Sequence, residues 1–416
     1  MNRFSSVSSS LNSHRKKMLS DMILNIISNA LPVFVLQFIV QPFIAKALGA
    51  DENGRYLALM SLLHCAVMIT GTTLHTTRLL RERDYKENAL IGDFNLFLMI
   101  SAVVNLCIIC VGSLILNCSP SDIVFIAFLS VIWMIKDYVI VEYRLKLTYK
   151  RILYNNLLLC LGYVLGIVLY RIIPKWYVII LAGYLLSFTH IYFTTNLLKE
   201  PIRKTALLKG SLKVLSILVL TECMAVFVMN YDRFVILALL SGSAVSIYYS
   251  ATIMGKMMSM LSAPVSNVIL SYLVDKKELS KRAYHIVWGI SISSGFVLYV
   301  FCVIVSPWIL MLLYPDWASE SIKLIYITCG IALFDYIRSI IKPFILRFCS
   351  IHFQYILKGI QTVLYGVFGF LSLKFFSLKG FAICNMSIGV LLCIMMFVVG
   401  ETQLNKPKGS NIPLSS

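Results

Sequence analysis

The chain has 416 residues, of which 59% are hydrophobic and only 13% are charged, and its mean hydropathy is +0.84. Soluble domains average roughly 45–50% apolar and about 25% charged residues, so this composition excludes a soluble protein and indicates that most of the chain contacts lipid. The net charge of +18 does not indicate nucleic-acid binding, because Lys and Arg occur in short clusters between apolar runs rather than along one face.

Twelve apolar runs are long enough to cross a bilayer as helices, which takes about 20 residues each. In chain order they cover roughly 21–45, 55–77, 92–116, 123–142, 152–171, 177–198, 214–240, 247–272, 284–313, 320–341, 353–375 and 380–400. Arg15, Lys16 and Lys17 precede the first run as in a signal peptide, but the run exceeds the 7–15 apolar residues of a signal sequence. We therefore predict an uncleaved first span and an all-α membrane protein of about twelve transmembrane helices.

The basic residues alternate between the two sides of this arrangement. If the N-terminus is cytoplasmic, 27 of the 37 Lys and Arg residues fall in predicted cytoplasmic segments and six in outer loops. The positive-inside rule predicts this asymmetry for an even number of spans. Both termini are therefore predicted to be cytoplasmic.

The sequence also predicts two similar halves. Residues 1–198 form an N-terminal six-helix bundle, 199–213 a basic cytoplasmic linker, and 214–416 a C-terminal six-helix bundle with a short cytoplasmic tail. LGADENGRYLAL from Leu48 and LSGSAVSIYYSA from Leu240 align at an offset of 192 residues, which pairs Tyr56 with Tyr248. Internal repeats of this kind are common in transporters.

The eleven cysteines predict neither a disulfide framework nor a metal site. Nine lie inside apolar runs, and Cys107 and Cys110 have CxxC spacing without a polar partner nearby. Such cysteines behave as small buried hydrophobes. The sequence also contains no nucleophile–base constellation, P-loop or HExxH motif, so we predict no catalytic residue, no metal and no cofactor.

Two stretches resemble the polysaccharide-transport flippases of the multidrug/oligosaccharidyl-lipid/polysaccharide (MOP) exporter superfamily. They are FIAKALGADENGRY from Phe43 and NYDRFVILALLSGSAVSIYYSATIMGKM from Asn230. Their specific motifs cover about a tenth of the chain, whereas the layout of spans matches throughout. With its length and short loops, the chain is most similar to Wzx-type O-antigen flippases.

This resemblance implies two six-helix bundles in a V around a central cavity, in the inner membrane of a bacterium. It implies transfer of an undecaprenyl-diphosphate-linked oligosaccharide, the O-antigen repeat unit of lipopolysaccharide biosynthesis, from the cytoplasmic to the periplasmic leaflet. A polysaccharide polymerase and a chain-length regulator are the protein partners it suggests.

A few charged residues lie at predicted membrane depth, where each costs roughly 2.5–3.5 kcal/mol on insertion scales and usually faces a cavity or a partner. A diphosphate in such an interior needs basic groups around it. We predict that four basic residues line the substrate cavity: Arg55, Lys136, Arg233 and Lys256. The opposing interpretation is that they neutralise acids on other helices. Asp137 follows Lys136 directly, and neighbours in a helix point about 100° apart, which disfavours a pair between them.

Two asparagines and three acids complete the candidate site. Asn25 and Asn29 lie one turn apart before Pro32, which predicts a bent first helix lining the cavity. Tyr248 and Tyr249 are assigned to an interfacial aromatic belt. The candidates for binding a coupling H⁺ or Na⁺ are Glu222, Asp232 and Asp335.

Two other functions remain open from the sequence. A multidrug exporter of the same superfamily would share the fold but would carry an acidic, hydrophobic cavity for cations. A membrane O-antigen polymerase or ligase would need a large periplasmic loop with catalytic residues, whereas the predicted outer loops are short.

Overall fold

The computed structural model describes residues 24–273, 280–349 and 352–404. The basic residues predicted near both chain ends, and those at 276 and 277, lie outside the described residues. Within these ranges nearly every residue is helical, and the predicted all-α fold is confirmed. By length and apolarity, nine of the described helices could cross a membrane.

The long helices follow the predicted spans closely. They are α1 Leu24–Leu48, α2 Ala50–Glu87, α3 Asp93–Ile115, α4 Pro120–Leu145, α5 Tyr149–Tyr170, α6 Trp176–Thr194, α7 Leu208–Leu239, α8 Gly242–Leu273, α9 Lys281–Leu313 and α10 Ile325–Phe348. His352–Leu404 breaks at Ser377, whose φ of 57° and ψ of −163° are not helical, and so forms α11 (352–376) and α12 (378–404).

Apolar side chains face outwards and polar side chains face inwards. Phe193, Leu312 and Trp308 are 81%, 79% and 76% exposed, whereas Asn105 and Ser130 are fully buried. An apolar surface of this kind is stable only against lipid. The structure is therefore that of a multi-pass membrane protein.

The chain forms two compact units whose boundaries fall inside helices. Unit 1 holds the residues up to Ile44 together with Leu59–Val226, and unit 2 holds Ala45–Ala58 together with the residues from Phe227 onwards. The basic segment 199–213 belongs to unit 1. The division of the sequence into bundles at 1–198 and 214–416 stays a prediction.

Unit 2 contains a contact between the two sequences that align at an offset of 192. Helices α2 and α8 begin at Ala50 and Gly242, which differ by 192. The Ser246 hydroxyl donates to the carbonyl of Ala50 at 2.6 Å, and a methyl group on Gly54 would lie 1.8 Å from the carbonyl oxygen of Gly242. Since Gly54 and Ser246 are equivalent at this offset, each helix start contacts the other through the same positions, as in a two-fold contact.

In unit 1, small residues bring α5 and α6 into backbone contact. A methyl group on Gly162 would lie 2.6 Å from the Cα of Gly183, and one on Gly166 would lie 2.6 Å from the Cα of Ile179. Gly162 and Gly166 form a GxxxG pair, the spacing that places two small residues on one face of a membrane helix.

The proline of α1 leaves one backbone carbonyl without its helical hydrogen bond, and a side chain of α5 supplies the missing donor. Pro32 has no N–H to donate to the carbonyl of Ser28 four residues earlier. The side chain of Asn156 on α5 donates to that carbonyl at 2.7 Å, and both Ser28 and Asn156 are buried. A π-helical turn follows at Leu36–Val40, as is common where a helix ladder is interrupted.

Replacing Asn156 with leucine is expected to lower the free energy of unfolding by about 1–3 kcal/mol, because the Ser28 carbonyl loses its buried donor. The P32A/N156L double variant should recover most of this loss, since alanine restores the backbone N–H. Thermal unfolding of the purified protein measures both effects, with S28A as a control that keeps the carbonyl. A double variant no more stable than N156L would contradict this account.

Buried side chains of unit 1 hold the connection between α6 and α7. Asp93 is fully buried and accepts a hydrogen bond from the backbone N–H of Thr205 at 2.8 Å and another from its hydroxyl. The Asn95 amide donates to the carbonyl of Glu200 at 2.7 Å. The segment predicted as a basic linker is therefore fixed along part of its length against α3.

Candidate functional site

The candidate site in unit 2 is built around the ring of Tyr249 on α8. The Lys256 Nζ lies 3.6 Å from the centroid of this ring, and the Arg233 Cζ on α7 lies 5.2 Å from it. Tyr249 and Lys256 are seven residues apart, which is two turns of one helix, so both occupy the same face of α8. Two of the four basic residues predicted from the sequence thus contact the same ring. Tyr249, Lys256 and Arg233 together form what we call the Tyr249 platform.

A buried asparagine fixes the position of Arg233. The Nη1 of Arg233 donates to the Oδ1 of Asn230 at 2.8 Å, three residues earlier in α7. Asn230 is 2% exposed. The guanidinium group is therefore anchored through Nη1 to its own helix, while its Cζ lies 5.2 Å from the centroid of the Tyr249 ring.

Lys256 is a buried amine without a hydrogen-bond acceptor. Its Nζ is inaccessible to solvent and forms no hydrogen bond within the described part of the chain. A cation–π contact contributes about 0.5–2 kcal/mol, whereas burying an ammonium group costs several kcal/mol. The ring alone does not offset this cost.

Asp232 is the acid that lies near this pair. It directly precedes Arg233 in α7, and both residues interact electrostatically with Lys256. One carboxylate oxygen of Asp232, Oδ1, is buried without a hydrogen-bond partner in the described ranges. The site therefore combines two basic side chains with one acidic side chain.

A second polar group of unit 2 involves Asp335. Its carboxylate forms an ion pair with Arg338, one turn later in α10. A separate hydrogen bond in unit 2 joins the amide of Asn385 on α12, which donates, to the hydroxyl of Tyr248 at 3.2 Å. Asp335 therefore already has a cationic partner, which removes part of the reason for it to bind a coupling ion.

Arg55 is placed differently from the other basic residues of unit 2. Its side chain is 58% exposed and lies 3.7 Å from Asp51 and 3.4 Å from Glu52, both on the preceding turn of α2. Exposed pairs of this kind contribute about 0–1 kcal/mol. No contact among the described residues joins Arg55 to the Tyr249 platform, and its role in the substrate cavity stays a prediction.

Lys136 lies in unit 1 and forms the pair that helix geometry was expected to disfavour. Its Nζ is 3.5 Å from the Oδ1 of Asp137 and 5.6 Å from the ring centroid of Tyr184. The expectation was wrong because the long lysine side chain bends back to its neighbour, although the two Cβ atoms point apart. Asp137 also accepts from the indole N–H of Trp133 at 3.2 Å, so Lys136 has the surroundings of a structural ion pair.

The remaining candidates show local contacts. The Asn29 amide donates to the backbone carbonyl and to the side-chain oxygen of Asn25, at 2.7 and 2.8 Å. Glu222 lies on the part of α7 that belongs to unit 1 and is partly exposed. The lining role of the two asparagines and the ion-binding role of Glu222 stay predictions.

The sequence interpretation missed Tyr249. It placed Tyr248 and Tyr249 in an interfacial belt, whereas the structure buries both to 4% exposure. The signal that could have identified Tyr249 is its spacing of seven residues from Lys256, because a tyrosine two turns from an intramembrane lysine lies on the same helix face.

Comparisons with known proteins find similarity in fold but not in sequence family. No protein-family model and no curated protein sequence matches the chain. Among solved structures, an inward-facing multidrug resistance MATE family transporter of the MOP superfamily aligns with a TM-score of 0.63 at 11% identity, over 91% of this chain and 98% of that one.

A lipid flippase shares the same architecture. The lipid II flippase MurJ, in an inward closed conformation, aligns with a TM-score of 0.63 at 15% identity, over 92% of this chain and 86% of that one. An outward-facing MATE transporter aligns with a TM-score of 0.59 at 12% identity, over 94% and 97% of the two chains. The chain therefore has the fold of the MATE and MurJ transporters of the MOP superfamily.

Proposed function

We propose that this protein is a flippase that transfers an undecaprenyl-diphosphate-linked oligosaccharide, the O-antigen repeat unit, from the cytoplasmic to the periplasmic leaflet by alternating access. The observation that carries the proposal is the buried amine of Lys256, which shares the Tyr249 ring with Arg233 and has no hydrogen-bond acceptor among the described residues. A transporter of this fold needs a reason to keep such a group, and a multiply charged diphosphate supplies it.

The charges near Tyr249 favour an anionic substrate over a cationic one. A multidrug exporter for cations would need an excess of carboxylates, but Asp335 is paired with Arg338, and Asp232 is accompanied by two basic residues, Arg233 and Lys256. The arginine contributes a planar fork that binds phosphate oxygens through two hydrogen bonds, and the lysine contributes a compact point charge.

The membrane potential can give this transport its direction. Moving one charge across 100 mV is worth about 2.3 kcal/mol, so an anionic substrate leaving a negative-inside cell moves downhill. Binding of H⁺ or Na⁺ by Glu222, Asp232 or Asp335 would then assist return of the empty carrier. A polysaccharide polymerase and a chain-length regulator in the same inner membrane remain the proposed protein partners.

The test is a flipping assay in proteoliposomes. A fluorescent, short-chain polyprenyl-diphosphate disaccharide is placed in the bilayer, and its loss to a membrane-impermeant quencher is followed with time. We expect the protein to speed exchange of this lipid and to leave uptake of the cation ethidium at the level of empty liposomes. Transport of ethidium without flipping of the diphosphate lipid would instead identify a multidrug exporter.

A further inference from the structure

Tyr249 contacts both cations of the candidate site without neutralising either. The face of an aromatic ring attracts a cation through its quadrupole but carries no net charge. The Lys256 ammonium lies 3.6 Å from the ring centroid and keeps its hydrogen-bond donors unused within the described part of the chain. The contact thus holds the amine in place while leaving both its charge and its N–H groups available.

Asp232 is the acid that could compete with the ring for the same amine. Asp232 directly precedes Arg233 in α7 and interacts electrostatically with Lys256, and its buried Oδ1 accepts no hydrogen bond from the described residues. Charge-assisted hydrogen bonds to a carboxylate are about twice as strong as neutral ones. In the structure the ammonium nevertheless lies on the ring, and neither its Nζ nor the Oδ1 of Asp232 has a hydrogen-bond partner among the described residues.

We propose that Tyr249 is a positioning residue that holds the Lys256 ammonium on its ring and away from Asp232, so that the amine is available to the diphosphate of the substrate. This inference rests on the proposed function. Tyr249 does not touch the substrate in this scheme and acts only through Lys256.

The proposal separates the ring from the hydroxyl group of Tyr249. Phenylalanine keeps the ring face and should keep the lysine in place. Leucine fills similar space without a quadrupole, so the lysine should move to Asp232 and form an ion pair. A diphosphate would then have to break that pair before it could bind, which weakens its affinity.

The same reasoning predicts rescue by a second substitution. In Y249L/D232N the competing carboxylate is replaced by a neutral amide of the same shape, so the lysine has no anionic partner to hold it. Diphosphate affinity should return even though the ring is still absent. A merely structural role of the tyrosine gives no reason for such a rescue.

The experiment measures binding of farnesyl diphosphate to the full-length protein in nanodiscs by calorimetric titration. We expect Y249F to bind within about threefold of the unsubstituted protein, Y249L to bind about tenfold more weakly, and Y249L/D232N to return to within about threefold. K256M serves as the reference for loss of the amine.

The outcomes distinguish this inference from the proposed function. Unchanged binding by K256M would overturn the proposed function and this inference with it. Weakened binding by K256M, combined with Y249L binding as tightly as Y249F, would overturn the role of Tyr249 alone. A weakened Y249L that D232N does not rescue would show that the leucine acts through packing, and would also overturn it.

Discussion

Replacing Arg78 with methionine is expected to lower the free energy of unfolding by about 3–5 kcal/mol, the usual result of removing one partner from a buried ion pair. Arg78 is 6% exposed, and its guanidinium group makes several contacts. It donates to both carboxylate oxygens of Glu200, at 2.8 and 2.6 Å, and to the hydroxyl of Tyr138 at 3.0 Å. Its Nε also lies 3.4 Å from Glu82.

The loss is large because Glu200 has no other ion pair among the described residues, whereas Glu82 also pairs with Lys86 at 3.3 Å. The side chains of Glu200 and Glu82 are only 19% and 16% exposed, so water cannot replace the arginine fully. Glu200 belongs to the segment between α6 and α7, and R78M should therefore also release that segment from unit 1. Hydrogen exchange of residues 196–207 would report this release directly.

A matched control is available on the same helix. Arg83 is 86% exposed and pairs with Glu87 at 2.7 Å, so R83M should cost less than about 1 kcal/mol. R78K should fall between the two variants, because lysine keeps the charge but loses the two-pronged contact with Glu200. Unfolding midpoints of R78M and R83M that coincide would show that the buried pair contributes nothing beyond a surface pair.

The layout of the helices could be predicted from the sequence because a helix in contact with lipid must be apolar, and hydropathy measures apolarity. The start of α8 was placed at 247 rather than 242, and α2 was predicted to end near 77 although it continues to Glu87. Both differences occur where polar residues extend a helix beyond the apolar run. A hydropathy window cannot separate such residues from a loop.

Tertiary partners account for what the sequence could not predict. Arg78 follows directly after the predicted second span at 55–77, where the sequence shows no acid partner for it in the membrane, yet it pairs with Glu200, 122 residues away. Lys136 was assigned to the substrate cavity, yet it pairs with Asp137. Intramembrane charge indicates that a partner must exist, but the sequence does not show whether that partner is a substrate or a side chain.

Lys256 is the residue for which the two interpretations give opposite results. If it is structural, replacing it with methionine removes a stabilising contact and lowers the unfolding midpoint. If it serves the substrate, the empty carrier gains stability, because a buried amine without an acceptor is replaced by an apolar side chain of similar length. We expect K256M to unfold at the same or a higher temperature than the unsubstituted protein.

The same variant should lose transport. A hydrogen bond to a charged group contributes about 1.5–3 kcal/mol, so K256M and R233M should each slow flipping on the order of 10- to 100-fold. K256M/R233M should slow it further and, in a strain that depends on this protein, should abolish surface polysaccharide at normal protein abundance. K374M, which removes an exposed lysine of unit 2, should leave both readouts unchanged.

Stability and transport together decide whether the Tyr249 platform is a binding site. A K256M variant that is more stable than the unsubstituted protein but no longer flips the lipid is the result expected if Lys256 binds the substrate and destabilises the fold. K256R tests the charge itself, since it keeps a cation on the same face of α8 and should retain part of the activity. A K256M/R233M variant that still supports full polysaccharide levels would show that the diphosphate does not bind here, because neither cation would then be needed for transport.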